Sequence, residues 1–209
     1  MFAPGAGRFL GPAASAAVAL LLVLAGGFLP GASLEVAGLC LVAAGLSIFF
    51  AVFFRDPERP IGSGIVSAAD GRIRAVERDG DRWRISVFMS VTDVHVNRWP
   101  TDVVVDSIRQ EGAGFRAAYR PDAAGNVRRH YTLSTELGPV EVVQITGVVA
   151  RRLVSFVHPG ARGRKGERFG MIVLGSRVDV LLPAGRVEPS VAVGDRVRAG
   201  ASSIARVRP

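Results

Sequence analysis

Between Phe9 and Phe54 the chain carries a single charged side chain, Glu35, and this near-absence of charge constrains its folding more than any other feature. So long an apolar stretch has to be hidden, either in a protein core or in a lipid bilayer. Two runs compose it. Ala13 to Leu29 is rich in Ala, Val and Leu and ends at Gly26-Gly27-Phe28-Leu29-Pro30; Val36 to Phe54 finishes in a cluster of phenylalanines. Pro30-Gly31-Ala32-Ser33 between them is a turn signal. A bilayer crossing takes about 20 apolar residues, so the second run qualifies and the first is marginal. The pattern predicts a membrane-associated helical hairpin over 1–54, spanning or dipping in. Arg8 before it, and Arg55 and Arg59 after it, place both ends on the cytoplasmic side of the cell membrane. A removable signal peptide is the rival reading of the first run. Arg8 is its only leading charge, and no clear small-x-small site precedes the second run.

The lone cysteine, Cys40, lies inside the apolar region, which excludes an intrachain disulfide framework or a cysteine metal site. The net charge of +8 sits in residues 55–209, which hold 25 of the 26 basic and 17 of the 18 acidic residues. Lys165 is the only lysine; the remaining cations are arginines. A basic unit beside a membrane segment favours attraction to anionic lipid head groups. Nucleic acid is the rival partner of a basic protein, but no recognition-helix pattern or aromatic stacking set accompanies the charge.

After the stiff exit Arg55-Asp56-Pro57-Glu58-Arg59-Pro60, the signals are those of strands. Val66 to Ile73 reads as strand, Asp-Gly turn, strand; Trp83 to Val91, Val103 to Ile108, Val140 to Val149 and Arg152 to Val157 are further candidates. Residues 112–130 read as a loop or lid. Gly160-x5-Gly166 recurs as Gly194-x5-Gly200, a weak internal repeat resembling the crossover turns of lipoyl-type domains. The expected fold is mainly β: a small β-barrel or sandwich with lipoyl-like hairpin repeats, occupying 55–209 behind the hydrophobic hairpin.

Met171-Ile-Val-Leu-Gly-Ser-Arg-Val-Asp-Val-Leu-Leu-Pro183 reads as one strand interrupted at Gly175. A glycine there marks a bend or a close approach to the backbone. Two readings stay open on these residues alone: a kinked core strand, or a Gly175–Ser176 bond that the protein itself breaks.

Four motifs in order carry a resemblance. They are Phe54-Arg-Asp-Pro-Glu-Arg-Pro60, Ala69-Asp-Gly71, Phe88-Met-Ser-Val-Thr-Asp-Val-His-Val-Asn-Arg-Trp-Pro100 and Phe169-Gly-Met-Ile-Val-Leu-Gly-Ser-Arg-Val-Asp-Val-Leu-Leu-Pro183. Together they resemble the short form of the phosphatidylserine decarboxylases, from about residue 53 to the end. The resemblance implies conversion of phosphatidylserine to phosphatidylethanolamine by a covalent pyruvoyl group, with no metal. Ser176 would attack the Gly175 carbonyl and become that cofactor, which binds the substrate amine as a Schiff base. The products would be a β chain 1–175 and an α chain 176–209 that stay associated, in an expected homo-oligomer. Asp70 is implied to assist self-cleavage. His95 is the strongest acid–base candidate, because imidazole titrates near neutrality; His130 and His158 read as bland. Long-form members carry a second histidine where Arg98 stands, and arginine is no base. Arg98 suits the substrate phosphate or carboxylate instead. A non-catalytic membrane-anchored adaptor with a lipoyl-like barrel is the competing function, and a different serine-lipid head group is a third.

Overall fold

A computed structural model describes residues 1–4, 6–7, 11, 15–16, 18, 33–114, 125–147, 152–173 and 176–208. The chain divides into two units, Met1–Pro57 and Glu58–Pro209.

The first unit contains helix α1, Ser33–Phe53. Its Phe49/Phe53 and Phe50/Phe54 rings stack at centroid distances of 6.0 and 6.2 Å, the i,i+4 contact expected on a helix surface. Pro57 and Pro60 follow, where the chain cannot remain helical. The N-terminal tip ties back onto the helix exit, Ala3 N donating to Phe54 O and Asp56 N to Met1 O at 2.9 and 2.8 Å. Leu34, Leu39, Leu41, Val42, Leu46 and Ile48 are all exposed. Among the described residues no helix is long and apolar enough to cross a membrane. The predicted two-span hairpin is not confirmed: most of its first run lies outside the described residues.

The second unit is built of antiparallel strands. The large sheet holds eight of them, in the order β13 (Arg196–Val197), β2 (Gly71–Asp79), β3 (Arg82–Met89), β11 (Ser176–Pro183), β7 (Gly138–Thr146), β6 (Arg128–Thr135), β5 (Val103–Glu111), β9 (Arg162–Gly163). A second sheet orders β4 (Val96–Arg98), β10 (Arg168–Val173) and β8 (Arg152–Ser155). A third orders β1 (Ile65–Val66), β14 (Ser203–Val207) and β12 (Val187–Pro189). Period-two alternation turns Ile85 and Val87 of β3, Val140 and Val142 of β7, Tyr131 and Leu133 of β6, and Val178, Val180 and Leu182 of β11 into one core. Trp99 and Phe169 join it, their rings stacked 4.1 Å apart.

Three expectations change here. The eight-stranded sheet does not close into a barrel among the described residues. The two glycine repeats enclose its edge strands, β9 between Gly160 and Gly166 and β13 between Gly194 and Gly200. All four glycines have positive φ, and the two repeats meet rather than pair: a Cβ on Gly200 would lie 3.1 Å from Arg98 Cδ and 3.5 Å from Gly166 Cα. Asp70-Gly71 is no hairpin turn, because β1 pairs with β14 and β2 with β3. Gly71 is required for close approach instead, since a Cβ there would lie 1.9 Å from Phe88 O. Finally, the apolar stretch around Gly175 is not one kinked strand. β10 ends at Val173 in one sheet and β11 begins at Ser176 in another.

Candidate active site

Ser176 opens β11, the central strand that pairs with β3 through Met89 and with β7 through Thr146. Alternation puts it on the core-facing side with Val178, Val180 and Leu182, and it is fully buried. Its Oγ donates to Met89 Sδ at 3.4 Å. A thioether is a weak acceptor, so among the described residues this buried hydroxyl has no strong partner. Gly175 lies outside the described residues.

The polar surroundings of Ser176 come from core-facing positions of other strands. Asn97 Nδ2 donates to the same Met89 Sδ at 3.8 Å. Gln144 Nε2 donates to Asn97 Oδ1 at 2.8 Å, and Tyr131 Oη donates to Gln144 Oε1 at 3.1 Å. Asn97, Gln144 and Tyr131 are all fully buried. Burial raises the Tyr131 pKa, eased by hydrogen bonds from Ser155 and Arg129, so the phenol keeps its proton. Gly170, opposite Asn97 in the β4–β10 ladder, leaves the space: a Cβ there would lie 2.6 Å from Val154 O and 3.0 Å from Gln144 Nε2.

His95 immediately precedes β4 and is fully buried. Its main-chain carbonyl accepts from Ile172 N at 3.3 Å, fixing it against β10. Nδ1 lies 2.9 Å from the Asp93 carbonyl oxygen. A carbonyl only accepts, so Nδ1 carries the proton, and in the neutral ring Nε2 is the basic nitrogen. Asp93 in turn caps the turn, accepting from Ser90 N at 2.9 Å.

Alternation along β4 turns Arg98 to the other side from Asn97. Its Nη1 donates to Gly166 O at 3.0 Å, and it lines a cavity of about 350 Å³ with Arg59, Arg164, Lys165 and Arg168. Glu58 and Glu167 offset part of this charge, leaving the cavity basic. Asp70 is held at its margin by Arg59 in a bidentate ion pair of 2.5 and 2.8 Å, and it accepts from Ala199 N at 2.8 Å. Gly71 follows it against the Phe88–Met89 backbone, so Asp70 and Ser176 flank opposite sides of the end of β3.

The structure thus gathers Ser176 with Asn97 and Met89 on the core side of the strands and Arg98 with the Asp70–Arg59 pair around the basic cavity. The sequence reading gave Met89, Asn97, Gln144, Tyr131 and Arg59 no part in the site. A polar residue at an inward position of an apolar strand, as in Val142-Val143-Gln144-Ile145, is the signal that reveals such a group. His130 sits in a peripheral network, its Nδ1 2.6 Å from Glu141 Oε1 and its Nε2 3.1 Å from Glu111 Oε1. His158 is exposed at a turn. Asp179 faces away from Ser176; burial raises its pKa, against the opposing effect of its ion pair with Arg177, whose Nε lies 2.9 Å from Oδ1.

Fold and site define the class: a mainly antiparallel β protein whose distinctive chemistry is a buried serine hydroxyl at the start of a central strand, with a tautomer-fixed histidine before β4 and a basic cavity lined by Arg98. The model of the phosphatidylserine decarboxylase family matches residues 46–205. A phosphatidylserine decarboxylase proenzyme of Thermobifida fusca is 46% identical over 167 residues, covering 79% of this chain and 75% of the relative. The proenzyme of Streptomyces coelicolor is 45% identical over 157 residues, covering 74% and 71%. That of Paraburkholderia phymatum is 37% identical over 206 residues, covering 93% and 92%. The chain belongs to the phosphatidylserine decarboxylase family and is an enzyme of that type.

Proposed function

We propose that the protein converts phosphatidylserine to phosphatidylethanolamine, using a pyruvoyl group that it makes from Ser176 by cleaving its own Gly175–Ser176 bond. The observation that carries this is the Ser176 hydroxyl, fully buried at the start of β11 and bonded to a thioether. A structural serine in a core normally meets a strong acceptor; one kept from it is suited to react. The relatives' description as proenzymes supports the same reading.

In the maturation step Ser176 Oγ bonds to the Gly175 carbonyl carbon, and the hydroxyl proton ends on the amide nitrogen as the C–N bond breaks. The resulting ester loses the Cα proton of residue 176 and the Gly175 carboxylate, leaving dehydroalanine. Its imine tautomer takes up water and releases ammonia, which gives the ketone. A ketone at that position supplies an electron sink for the pair left by departing carbon dioxide, once joined to the substrate amine. The site fits such a group: β11 would begin with it, beside the Met89 sulfur to which Asn97 also donates and away from bulk water.

His95, with Nδ1 pinned, returns a proton to the carbon that loses the carboxylate. Asp70, oriented by Arg59, assists cleavage. Arg98 and its basic cavity receive the anionic phosphodiester or carboxylate of the substrate. The exposed apolar side chains of α1 support immersion of that helix in the cell membrane, with the β unit on the cytoplasmic side as the flanking arginines favour.

Intact mass and gel analysis test the reading. The wild-type protein should resolve into chains 1–175 and 176–209, the smaller lacking a free amino terminus and reacting with carbonyl reagents. Ser176→Ala should remain whole and inactive yet folded, and Ser176→Thr should cleave slowly because its β-methyl crowds the attack. Decarboxylation by an uncleaved Ser176→Ala protein would overturn the pyruvoyl mechanism.

A further inference from the structure

The basic cavity at Arg98 contains Glu58 and Glu167, and a larger one of about 860 Å³ contains Asp102, Glu136 and Glu167. A third, of about 520 Å³, has no carboxylate among the described residues that line it. It lies where β5 and β6 meet β8 and the turn after that strand. Ile108, Leu153, Val154, Val157 and Pro159 give it apolar walls, and Arg129 and Arg152 give it positive charge. The two kinds of surface are separated by depth. Leu153 is buried and Ile108, Val154 and Val157 are half-buried, whereas Arg152 and the nearby His158 are exposed.

The fold holds Arg129 in place. It lies two residues before Tyr131, on the same side of β6, and stands opposite Gln110 in the β5–β6 ladder. Its Nη2 donates to Gln110 Oε1 at 2.8 Å, and the guanidinium also donates to Tyr131 Oη. These bonds use only part of a fork of five N–H donors. Arg152 begins β8, opposite Val173 of β10. Two guanidinium groups in a groove whose described walls carry no carboxylate attract an anion, and their planar forks match a phosphodiester. Inorganic phosphate would satisfy the arginines and leave the apolar walls wet. A phosphodiester that carries glycerol and acyl chains covers both surfaces, gaining the burial of the walls as well as the charge contacts.

We propose that this groove binds an anionic phospholipid, with its phosphodiester on Arg129 and Arg152 and its glycerol and first acyl carbons against Ile108, Leu153 and Val157. It is a second lipid site, apart from the cavity at Arg98, and it gives the β unit a lipid contact of its own. The inference goes beyond the decarboxylation reading and does not need self-cleavage, because this lipid is held by its charge and does not react at Ser176.

The probe is a phosphatidylglycerol with a diazirine on the acyl chain close to the glycerol. It is anionic but has no amine, so it cannot form a Schiff base. Full-length Ser176→Ala protein in detergent is irradiated over a range of probe concentrations, and the label at residues 152–159 is read by peptide mass spectrometry, which gives an affinity for this groove alone. Arg129→Gln/Arg152→Gln should weaken that affinity by about 10-fold or more, the equivalent of about 1.4 kcal/mol. Arg206→Gln/Arg208→Gln removes the same charge from exposed positions elsewhere and should change it by less than about 2-fold. On the Ser176→Ala parent, unlabelled phosphatidylglycerol should displace the label, whereas phosphatidylcholine and inorganic phosphate at the same concentration should not. Labelling of 152–159 that survives the groove substitutions, or that falls equally with the control pair, would overturn the proposal. Displacement by phosphatidylcholine or by inorganic phosphate as complete as that by phosphatidylglycerol would overturn it too. Should the groove variant be less protease-resistant than the parent, the competition on the parent decides alone. Since this chain neither cleaves nor turns over substrate, failure here leaves the decarboxylase reading intact, and failure of that reading, seen as an uncleaved wild type, leaves this site standing.

Discussion

The Arg59–Asp70 pair makes a quantitative prediction about how the start of the β unit is held to its strands. Both side chains are nearly buried, 13% and 10% exposed, and two hydrogen bonds join them. At an effective dielectric near 20 the attraction at about 4 Å between charge centres is about 4 kcal/mol. Desolvation offsets much of it, and the clearer quantity is the cost of removing one partner, about 3–5 kcal/mol for a buried pair. Asp70 keeps the Ala199 amide, so Arg59→Met should fall at the low end, about 3 kcal/mol. Asp70→Asn keeps one oxygen to accept from Arg59 Nη1 and Ala199 N but loses the acceptor for Nη2, and should cost about 2 kcal/mol. The double variant buries no unpaired charge and should also cost about 2 kcal/mol, giving a coupling of about 3 kcal/mol. For a chain of this size the Arg59→Met cost corresponds to a Tm about 6–12 °C lower. The assay is unfolding followed by tryptophan fluorescence in detergent. Both tryptophans, Trp83 and Trp99, lie in Glu58–Pro209, so the signal reports the β unit alone. All variants should carry Ser176→Ala, which keeps every chain covalently whole. Additive single and double variants, or an Arg59→Met loss below about 1 kcal/mol, would refute the account of this pair as an organising contact.

Three further outcomes are expected. A chain beginning at Asp56 should move largely to the soluble fraction and still cleave itself, with residual binding to anionic vesicles that weakens as salt rises; persistence in the membrane pellet at high salt would show that α1 and the preceding run are not the main anchor. His95→Ala should cleave yet lose about 10²-fold or more of its decarboxylase activity, measured as released carbon dioxide, and full activity would move the proton transfer to another group. Because burial raises the Tyr131 pKa above the ordinary 10.0, the folded state holds the phenol proton more tightly than the unfolded chain does. Its stabilisation is complete below pH 10 and lost as pH climbs through the higher folded value, so Tyr131→Phe should be weaker than wild type at pH 8 but decline less steeply above pH 10, and parallel declines in denaturant midpoint would contradict this.

Much of the strand content was legible because alternation is a local property. Trp83 to Val91 and Val103 to Ile108 contain most of β3 and most of β5, since inward Ile85, Val87 and Val105 recur at every second residue. The residues 112–130 were less legible: β6 already begins at Arg128, and residues 115–124 lie outside the described structure. Asp70-Gly71 carried a hairpin signature that failed, because the glycine answers to Phe88 O across the sheet rather than to a turn. Local chemistry could not distinguish the two demands, as both need a residue without Cβ.

By itself, the sequence determined the partition into an apolar N-terminal part and a basic β part, and it singled out Gly175–Ser176, His95 and Asp70 through motifs whose order is specific. It also settled the family, since those motifs are properties of the chain. Only the tertiary structure decided that β10 and β11 lie in separate sheets, because an apolar run reads alike whether it continues or crosses over. Only the tertiary structure joined Tyr131, Gln144 and Asn97 to Met89 and Ser176, drawing on five strands far apart in the chain. Hydrogen bonds between distant strands leave no periodicity in sequence; they follow from sheet order and register, which are set by the packing of the whole core.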